Sequence, residues 1–147
     1  YRTNRPRLSV FVDKEILIPS EAQTGDTVNQ ALCEDVIGVT MRNRGILIIY
    51  ITYWSFYWKL PWRWSSMRQQ NPYYPNFRLE GIKLEPGQSA AITLSNDITA
   101  HRKNLEQLCN ENKMPKFMRR FVALYIFGYD GSRFKAKLGK SYKKAFF

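Results

Sequence analysis

The sequence predicts an all-β domain, an antiparallel sandwich of about seven strands with one short helix inserted near residues 97–110. Runs rich in β-branched and aromatic residues recur along the chain, and turn signals such as Asn43-Arg44-Gly45 and Asp130-Gly131 separate them. The 147 residues are 44% hydrophobic and 15% aromatic, which is enough to form one folded core. We therefore expect residues 1–147 to form a single sandwich domain.

The first hairpin is predicted within Val36–Thr52. Apolar and polar residues alternate over Val39–Arg42, and the run Ile46–Thr52 is dense in β-branched and aromatic residues. An Asn/Gly turn between two such runs is typical of a β-hairpin. We expect the two runs to pair with each other as neighbouring strands.

The second of these runs continues as a long strand to Trp64. Its even-numbered positions are mostly apolar and include Trp54 and Trp58, whereas the odd-numbered positions become polar towards the end. This period of two predicts a half-buried strand with its even positions on one face. Gly45–Trp62 is nearly long enough to cross a membrane, but it contains a lysine and a proline, and the alternation favours a strand.

The segments on either side also show strand, turn and helix signals. Leu84–Ser89 contains a Pro-Gly pair that suits a type II turn. Asn96 or Asp97 can cap a helix over Ile98–Asn110, whose apolar residues recur on one face. Three further strands are predicted at Leu8–Val12, at Phe77–Leu84 with Phe77 and Leu79 facing inward, and at Ala90–Leu94.

The C-terminal third contains the clearest strand signal. Phe121–Phe127 is a continuous apolar run typical of a central strand. The Asp130-Gly131 turn predicts a hairpin between this strand and a second strand over Arg133–Leu138. Apolar and basic residues alternate in the returning strand, so one of its faces packs and the other is positively charged. The basic and aromatic tail 139–147 is expected to be held loosely.

The charge of the chain is strongly positive and uneven. The formal net charge is +11, and residues 101–147 carry 12 Lys/Arg against 3 Asp/Glu. Such a balance indicates an anionic neighbour, which can be nucleic acid, an anionic lipid surface or an acidic protein. A solvated, solubilising surface explains the same charge equally well.

Residues suited to catalysis or metal binding are sparse. Cys33 and Cys109 are far apart and form no CxxC motif, which favours buried free thiols over a disulfide and a reducing compartment. The single histidine, His101, falls near the packing face of the predicted helix, which favours a structural role. No phosphate-binding loop, dinucleotide-binding motif or zinc-protease motif occurs. We expect no enzymatic activity, no cofactor and no metal.

The order of these segments resembles an immunoglobulin-like β-sandwich. The resemblance rests on Val39–Gly45, the long strand after it, Leu84–Ser89, the short helix and the hairpin at Asp130-Gly131. The Asn-x-Gly and Leu-x-Pro-Gly-x-Ser turns are similar to those of small sandwich domains in uncharacterised bacterial proteins, which often follow membrane helices. The resemblance implies a cytoplasmic domain, either at the membrane face of a longer chain or soluble beside the membrane. Antibody-type Cys…Trp…Cys spacing is missing, so no disulfide is implied, and fold analogy carries no activity.

Three kinds of partner fit these features. A protein partner is the preferred hypothesis, because Trp, Tyr and Arg anchor many protein interfaces. Nucleic acid is the first alternative, since bases stack on aromatic rings while Lys and Arg neutralise phosphates. An anionic membrane surface is the second. Burial of the tryptophans in the core is the competing interpretation. The candidate binding surface comprises Trp58, Trp62, Arg63, Trp64, Tyr73, Tyr74, Arg133, Lys135 and Lys137.

Overall fold

Within its described residues the chain is mostly β. The computed structural model describes residues 5–17, 23–25, 27–28, 34–60, 63–66, 74 and 77–146. The all-β prediction is confirmed, and the helix predicted near residues 97–110 is present. The helices are α1 (Ile98–Glu111), a 3₁₀ helix (Lys116–Phe121) and α2 (Lys140–Phe146). The strands are β1 (Leu8–Leu17), β2 (Gln23–Thr24), β3 (Thr27–Val28), β4 (Glu34–Asn43), β5 (Ile49–Leu60), β6 (Arg63–Ser66), β7 (Lys83–Leu84), β8 (Ser89–Ser95), β9 (Val122–Gly128), β10 (Arg133–Lys135) and β11 (Lys137–Leu138).

Two sheets and one small hairpin organise these strands. The first sheet has the order β11–β1–β4–β8, and the second has the order β10–β9–β5–β6, with β7 paired to the start of β5. β2 and β3 form a separate hairpin. β1 and β11 are parallel, whereas the other pairs within the described ranges are antiparallel. The described residues thus contain eleven strand segments, where about seven were predicted.

The two sheets share one hydrophobic core. Strands β1, β4 and β8 contribute to it from the first sheet, and β5, β9 and β10 from the second. Phe77 and Leu79 face inward as predicted, but the strand expected over Phe77–Leu84 is limited to β7. The largest fully buried side chains are Phe77, Ile37, Met41, Ile51, Leu79, Leu108, Ile126, His101, Val12, Val39 and Asn43. Two of them, His101 and Asn43, are polar and need hydrogen-bond partners.

The first predicted hairpin is wrong. β4 ends at Asn43 and β5 begins at Ile49, but β4 pairs with β1 and β8, whereas β5 pairs with β6, β7 and β9. The connection over residues 44–48 therefore crosses from one sheet to the other. An Asn/Gly turn signal predicts a change of direction, and whether the flanking strands then pair depends on distant strands that compete for their edges.

Asn43 explains why the chain crosses between sheets here. Its side chain is fully buried, and its Nδ2 donates to the carbonyl oxygens of Leu47 at 2.7 Å and Leu84 at 2.9 Å. Its Oδ1 accepts a hydrogen bond from the backbone N–H of Gly45 at 3.0 Å. Its own backbone N–H donates to the carbonyl of Gln88 at 3.0 Å. These bonds hold the end of β4, the connection and the β7–β8 turn together.

A bulge in β5 changes which residues face the core. Ile49 and Ile51 are buried before it while Tyr50 is exposed, and Trp54 is buried after it. The pairing register with β9 shifts between Ile51 and Tyr53. One extra residue reverses the alternation of side chains. The prediction that all even positions share the inner face is therefore wrong before the bulge.

Two predicted turns are confirmed. The Gln88 N–H donates to the carbonyl of Glu85 at 2.9 Å, and Gly87 has a φ of 84°, as the third residue of a type II turn requires. β9 and β10 pair as an antiparallel hairpin around Asp130-Gly131, where Gly131 has a φ of 87°. Glycine tolerates this left-handed conformation because it has no Cβ.

The strand predicted after this hairpin divides at Ala136. β10 pairs with β9 in the second sheet, whereas β11 pairs with β1 in the first. Phe134 and Ala136 are buried as predicted. The residues expected to form a loose tail instead form α2, because Tyr142 is buried and its backbone N–H donates to Asp13 Oδ1 at 2.9 Å.

Replacing Asn43 tests its role in the crossover. Asn43→Ala removes three side-chain hydrogen bonds, of which the one to the Leu84 carbonyl is buried, so we expect the free energy of unfolding in urea to fall by about 3 kcal/mol. The exposed Asn96 is the matched control, and Asn96→Ala should change it by less than about 0.5 kcal/mol. Equal stability of the two variants would show that the buried amide does not hold the connection.

Candidate functional site

Large apolar side chains are exposed at one end of the two sheets. They come from the connection between β4 and β5, the start of β5 and the turn after β9. The exposed fraction is 65% for Ile46, 45% for Ile48 and 82% for Tyr129. The Tyr129 N–H donates to the carbonyl of Tyr50 at 2.8 Å and joins the two segments. This surface is termed the apolar tip and consists of Ile46, Leu47, Ile48, Tyr50 and Tyr129.

The apolar tip contains a groove of about 430 Å³. The groove is lined by Pro6, by the run Ile46–Tyr50 and by Gly128, Tyr129 and Asp130. Most of these groups are apolar, and Asp130 supplies a polar edge. A concave apolar surface with a polar edge suits insertion of a side chain from a partner.

Cationic side chains predominate around the apolar tip. The Arg44 N–H donates to the carbonyl of Arg7 at 2.8 Å, which places the N-terminal segment beside the connection. Lys83 Nζ lies 6.0 Å from the centre of the Tyr50 ring. Among the described residues, Arg5, Arg7 and Arg44 are exposed beside these segments, Lys83 forms an ion pair with Glu85 at 3.8 Å, and Asp130 lines the groove. Their balance favours a partner that carries acidic groups near its apolar contact.

The Trp-rich part of the predicted binding surface falls mostly outside the described side chains. Trp58 belongs to β5, and Arg63 and Trp64 belong to β6, which pairs with the end of β5. The side chains of these three residues lie outside the described part of the chain, as do Trp62 and Tyr73 entirely. Their role in binding stays a prediction.

Tyr74 corrects the predicted surface. It is buried, and its hydroxyl lies 3.2 Å from His101 Nδ1. Its ring contacts Trp54 and Phe56 at centroid distances of 5.8 and 5.5 Å. The sequence placed Tyr74 on the candidate binding surface, but packing against Trp54 removes this side chain from any partner.

The three predicted basic residues do not share one face. Arg133 and Lys135 are exposed on β10 and point away from the core beside Phe127 and Tyr125 of the second sheet. Lys137 is exposed on β11, which belongs to the first sheet. The division of the strand at Ala136 separates the cations that a single strand would have aligned.

A second aromatic cluster lies on the outer face of the second sheet. It contains Tyr57, Tyr125 and Phe127, which are each buried, together with Ala123. Tyr53 stacks on Phe127 with ring centroids 4.4 Å apart. The hydroxyl groups of Tyr53 and Tyr57 are 3.2 Å apart, and this hydrogen bond raises the pKa of Tyr53 to about 12. Tyr53 and Arg133 lie on either side of Phe127, so this face carries a partly exposed ring on β5 and cations on β10, with β9 between them.

His101 lies in a buried network with two tyrosines. Its Nε2 is 2.8 Å from the Tyr142 hydroxyl and its Nδ1 is 3.2 Å from the Tyr74 hydroxyl. One ring nitrogen donates and the other accepts, so the neutral imidazole satisfies both contacts. Burial lowers the pKa of His101 to about 4 and raises those of both tyrosines. The network links α1 to α2 and to residue 74.

The described residues contain no group of three or more His, Cys, Asp or Glu side chains placed to hold a metal ion. Cys109 is a buried free thiol whose pKa is raised by burial, while Cys33 lies outside the described residues. A raised pKa keeps the Cys109 thiol protonated and poorly nucleophilic.

Among the described residues, no helix combines the length and apolar character needed to cross a membrane.

Comparisons with known proteins add no relative. No protein-family model matches the chain, and neither the curated proteins nor the solved structures give a significant match. What the chain can bind is therefore inferred from its own residues and their geometry.

Sequence reasoning missed the apolar tip. Ile46, Leu47 and Ile48 form a continuous apolar run, which has the same pattern whether it is a buried strand or an exposed connection. Tyr129 carries a weak signal, because an aromatic residue directly before an Asp-Gly turn has few neighbours to cover it. The exposure of Ile46, Leu47 and Ile48 follows from the crossover between sheets, and that of Tyr129 follows from its place in the turn after β9.

The buried histidine predicts acid sensitivity. In the unfolded chain His101 binds a proton below about pH 6.5, whereas in the folded chain it stays neutral down to about pH 4. The neutral histidine therefore contributes its full stability above pH 6.5, and this contribution is lost as the pH falls towards 4. We expect the free energy of unfolding to drop by about 2 kcal/mol between pH 7 and pH 5. Urea titrations at several pH values measure this change. His101→Gln should give a flat profile over this range, and an unchanged slope would exclude His101 as its source.

Proposed function

We propose that the chain is a non-catalytic interaction domain that binds a protein partner through the apolar tip. The single observation that supports this most directly is the exposure of Ile46, Leu47, Ile48, Tyr50 and Tyr129 on one continuous surface. Single exposed apolar residues are common on proteins, but contiguous exposed patches mark interaction sites. The partner is an acidic protein segment with a large apolar side chain.

The shape of the apolar tip supports a protein over a bilayer. A membrane surface is contacted by protruding side chains, whereas the groove between Ile48 and Tyr129 is concave and holds about 430 Å³. A groove of this kind becomes buried only when a partner side chain fills it. The exposed arginines Arg5, Arg7 and Arg44 would meet acidic residues at the edge of such a contact.

The immunoglobulin-like class is part of this proposal. Two antiparallel-rich sheets around a common core support it, and the parallel β11 and the short β2–β3 hairpin depart from the simple pattern. Domains of this class use connections at the ends of their strands for recognition. The apolar tip consists of two such connections, which agrees with a binding role.

Selection from a displayed peptide library tests the proposal. We expect enriched peptides to combine a large apolar residue with Asp or Glu, and fluorescence anisotropy then measures their affinity. Ile48→Asp places a charge in the groove and should weaken binding at least about tenfold. Phe117→Asp is the matched control, because Phe117 is large and exposed but lies in the 3₁₀ helix that precedes β9, at the end of this strand away from the apolar tip. The affinity of the Phe117→Asp variant for the selected peptides should be unchanged.

Two outcomes contradict a protein partner. Selected peptides that bind Ile48→Asp as tightly as the original chain would place the contact elsewhere. Failure of selection, combined with sedimentation on phosphatidylserine vesicles that Ile48→Asp abolishes, would assign the apolar tip to an anionic membrane surface.

Nucleic acid is a second candidate because of one specific arrangement. Arg133 and Lys135 are exposed beside the outer aromatic cluster, where Tyr53 remains partly exposed. An aromatic ring next to two cations can stack on an unpaired base while the cations contact phosphates. This candidate concerns the outer face of the second sheet and not the apolar tip.

Salt dependence tests this candidate. Binding to single-stranded DNA should weaken steeply between about 50 and 200 mM salt. Changing Arg133 and Lys135 to Gln should reduce the dependence of the DNA affinity on salt concentration. Lys137→Gln, which lies on the other sheet, should leave this dependence unchanged. Undetectable binding at the lowest salt, or equal effects of all three changes, would remove this outer face as a nucleic-acid site.

A further inference from the structure

A cavity lies between α1, the 3₁₀ helix and the two sheets. It has a volume of about 150 Å³. Arg102 and Glu106 of α1 line it and are themselves exposed, so the cavity reaches the surface at this helix. Most of its wall is apolar and is formed by Val12, Phe56, Leu94, Leu105, Leu124 and Leu138.

Arg119 brings a partly buried cation to this cavity. It belongs to the 3₁₀ helix and lines the cavity, and its Nη2 donates to Asn110 Oδ1 at 2.5 Å. Its Nε is shielded from solvent and has no hydrogen-bond partner within the described part of the chain. Buried donors are normally satisfied, so this atom requires an explanation. A bound acceptor would supply the missing hydrogen bond.

The charges at the cavity select the kind of acceptor. Arg102, Glu106 and Arg119 together carry one net positive charge. That balance suits a monoanion, whereas a phosphate dianion would meet repulsion from Glu106. A carboxylate also matches the guanidinium, because its two oxygens can accept parallel hydrogen bonds from Nε and a terminal nitrogen.

The volume limits the apolar part of the ligand. An apolar cavity of roughly 150 Å³ accommodates a molecule the size of benzene. Leu105 and Leu124 from opposite elements provide the contacts that such a ring or a short chain needs. A long fatty acid or a nucleotide exceeds this space.

We propose that this cavity binds a small monocarboxylate, with its ring or short aliphatic chain among the leucines and its carboxylate on Arg119. The contact is reversible and non-covalent. Burial raises the pKa of the neighbouring Cys109 thiol, which therefore stays protonated beside the ligand. This site is separate from the apolar tip and does not depend on the function proposed for it.

A series of ligands of matched shape tests the proposal on the intact chain. NMR titration of the isotope-labelled protein compares benzoate, benzyl alcohol and benzylamine. We expect benzoate to bind at least about tenfold more tightly than benzyl alcohol, because a hydrogen bond between two charged groups strengthens binding by at least this factor. Benzylamine, whose charge repels Arg119, should bind more weakly than benzyl alcohol. The amide signals of Leu105, Cys109 and Arg119 should shift.

Two variants separate the charge from the cavity. Arg119→Met should weaken benzoate at least about tenfold and change benzyl alcohol less than about twofold, and the exposed Arg42→Met is its control. Leu105→Trp fills the cavity and should abolish both ligands. Equal affinities of benzoate and benzyl alcohol for the original chain would overturn the proposal even if neither variant folds. Shifts confined to the apolar tip, or no binding of benzoate at all, would also overturn it.

Discussion

The buried side chain of Asn43 is the constraint on which the two-sheet arrangement depends. Its amide satisfies the carbonyl oxygens of Leu47 and Leu84 and the backbone N–H of Gly45, and the bond to Leu84 is fully buried. If the connection took another path, these groups would be buried without partners. Gly45 also fits closely, because a Cβ there would lie 3.2 Å from the backbone nitrogen of Arg7 and would push it away by a few tenths of an ångström. The chain is therefore held in a crossover rather than a hairpin.

The exposure of the apolar tip is a consequence of that crossover. In a hairpin, Ile46 and Ile48 would continue the ladder of β4 and could be covered by a neighbouring strand. In the observed path they extend between the two sheets, and the pairing of β5 with β7 begins only after them, at Ile49 opposite Leu84. The same hydrogen bonds that stabilise the core thus place apolar groups in solvent, where a partner is the most direct way to bury them.

A second polar network holds the opposite part of the domain. His101 bonds to Tyr74 and Tyr142, so α1 is tied both to α2 and to the segment before β7. The same helix forms one wall of the cavity beside Arg119. Val122 lines this cavity and Gly128 lines the groove of the apolar tip, at the two ends of β9. At about 3.3 Å per residue they are roughly 20 Å apart, so the cavity and the groove are separate parts of the surface.

The sequence by itself determined the all-β class, a helix capped by Asn96 or Asp97, the turns at Pro86-Gly87 and Asp130-Gly131, and the inward positions of Phe77 and Leu79. Each of these follows from local chemistry: a left-handed glycine, a capping side chain, or the alternation of apolar residues. The structure assigns the cap to Asp97.

Only the tertiary structure decided which strands pair and which side chains reach solvent. The partner of β4 is set by the competition among β1, β5 and β8, and the face of Ile49 is set by a bulge formed against β9. Tyr74 lies in a stretch that reads as a loop, yet it is buried by Trp54 and His101. The division of the last strand at Ala136 separates Lys137 from Arg133. These outcomes depend on contacts between residues distant in sequence, which no local pattern encodes.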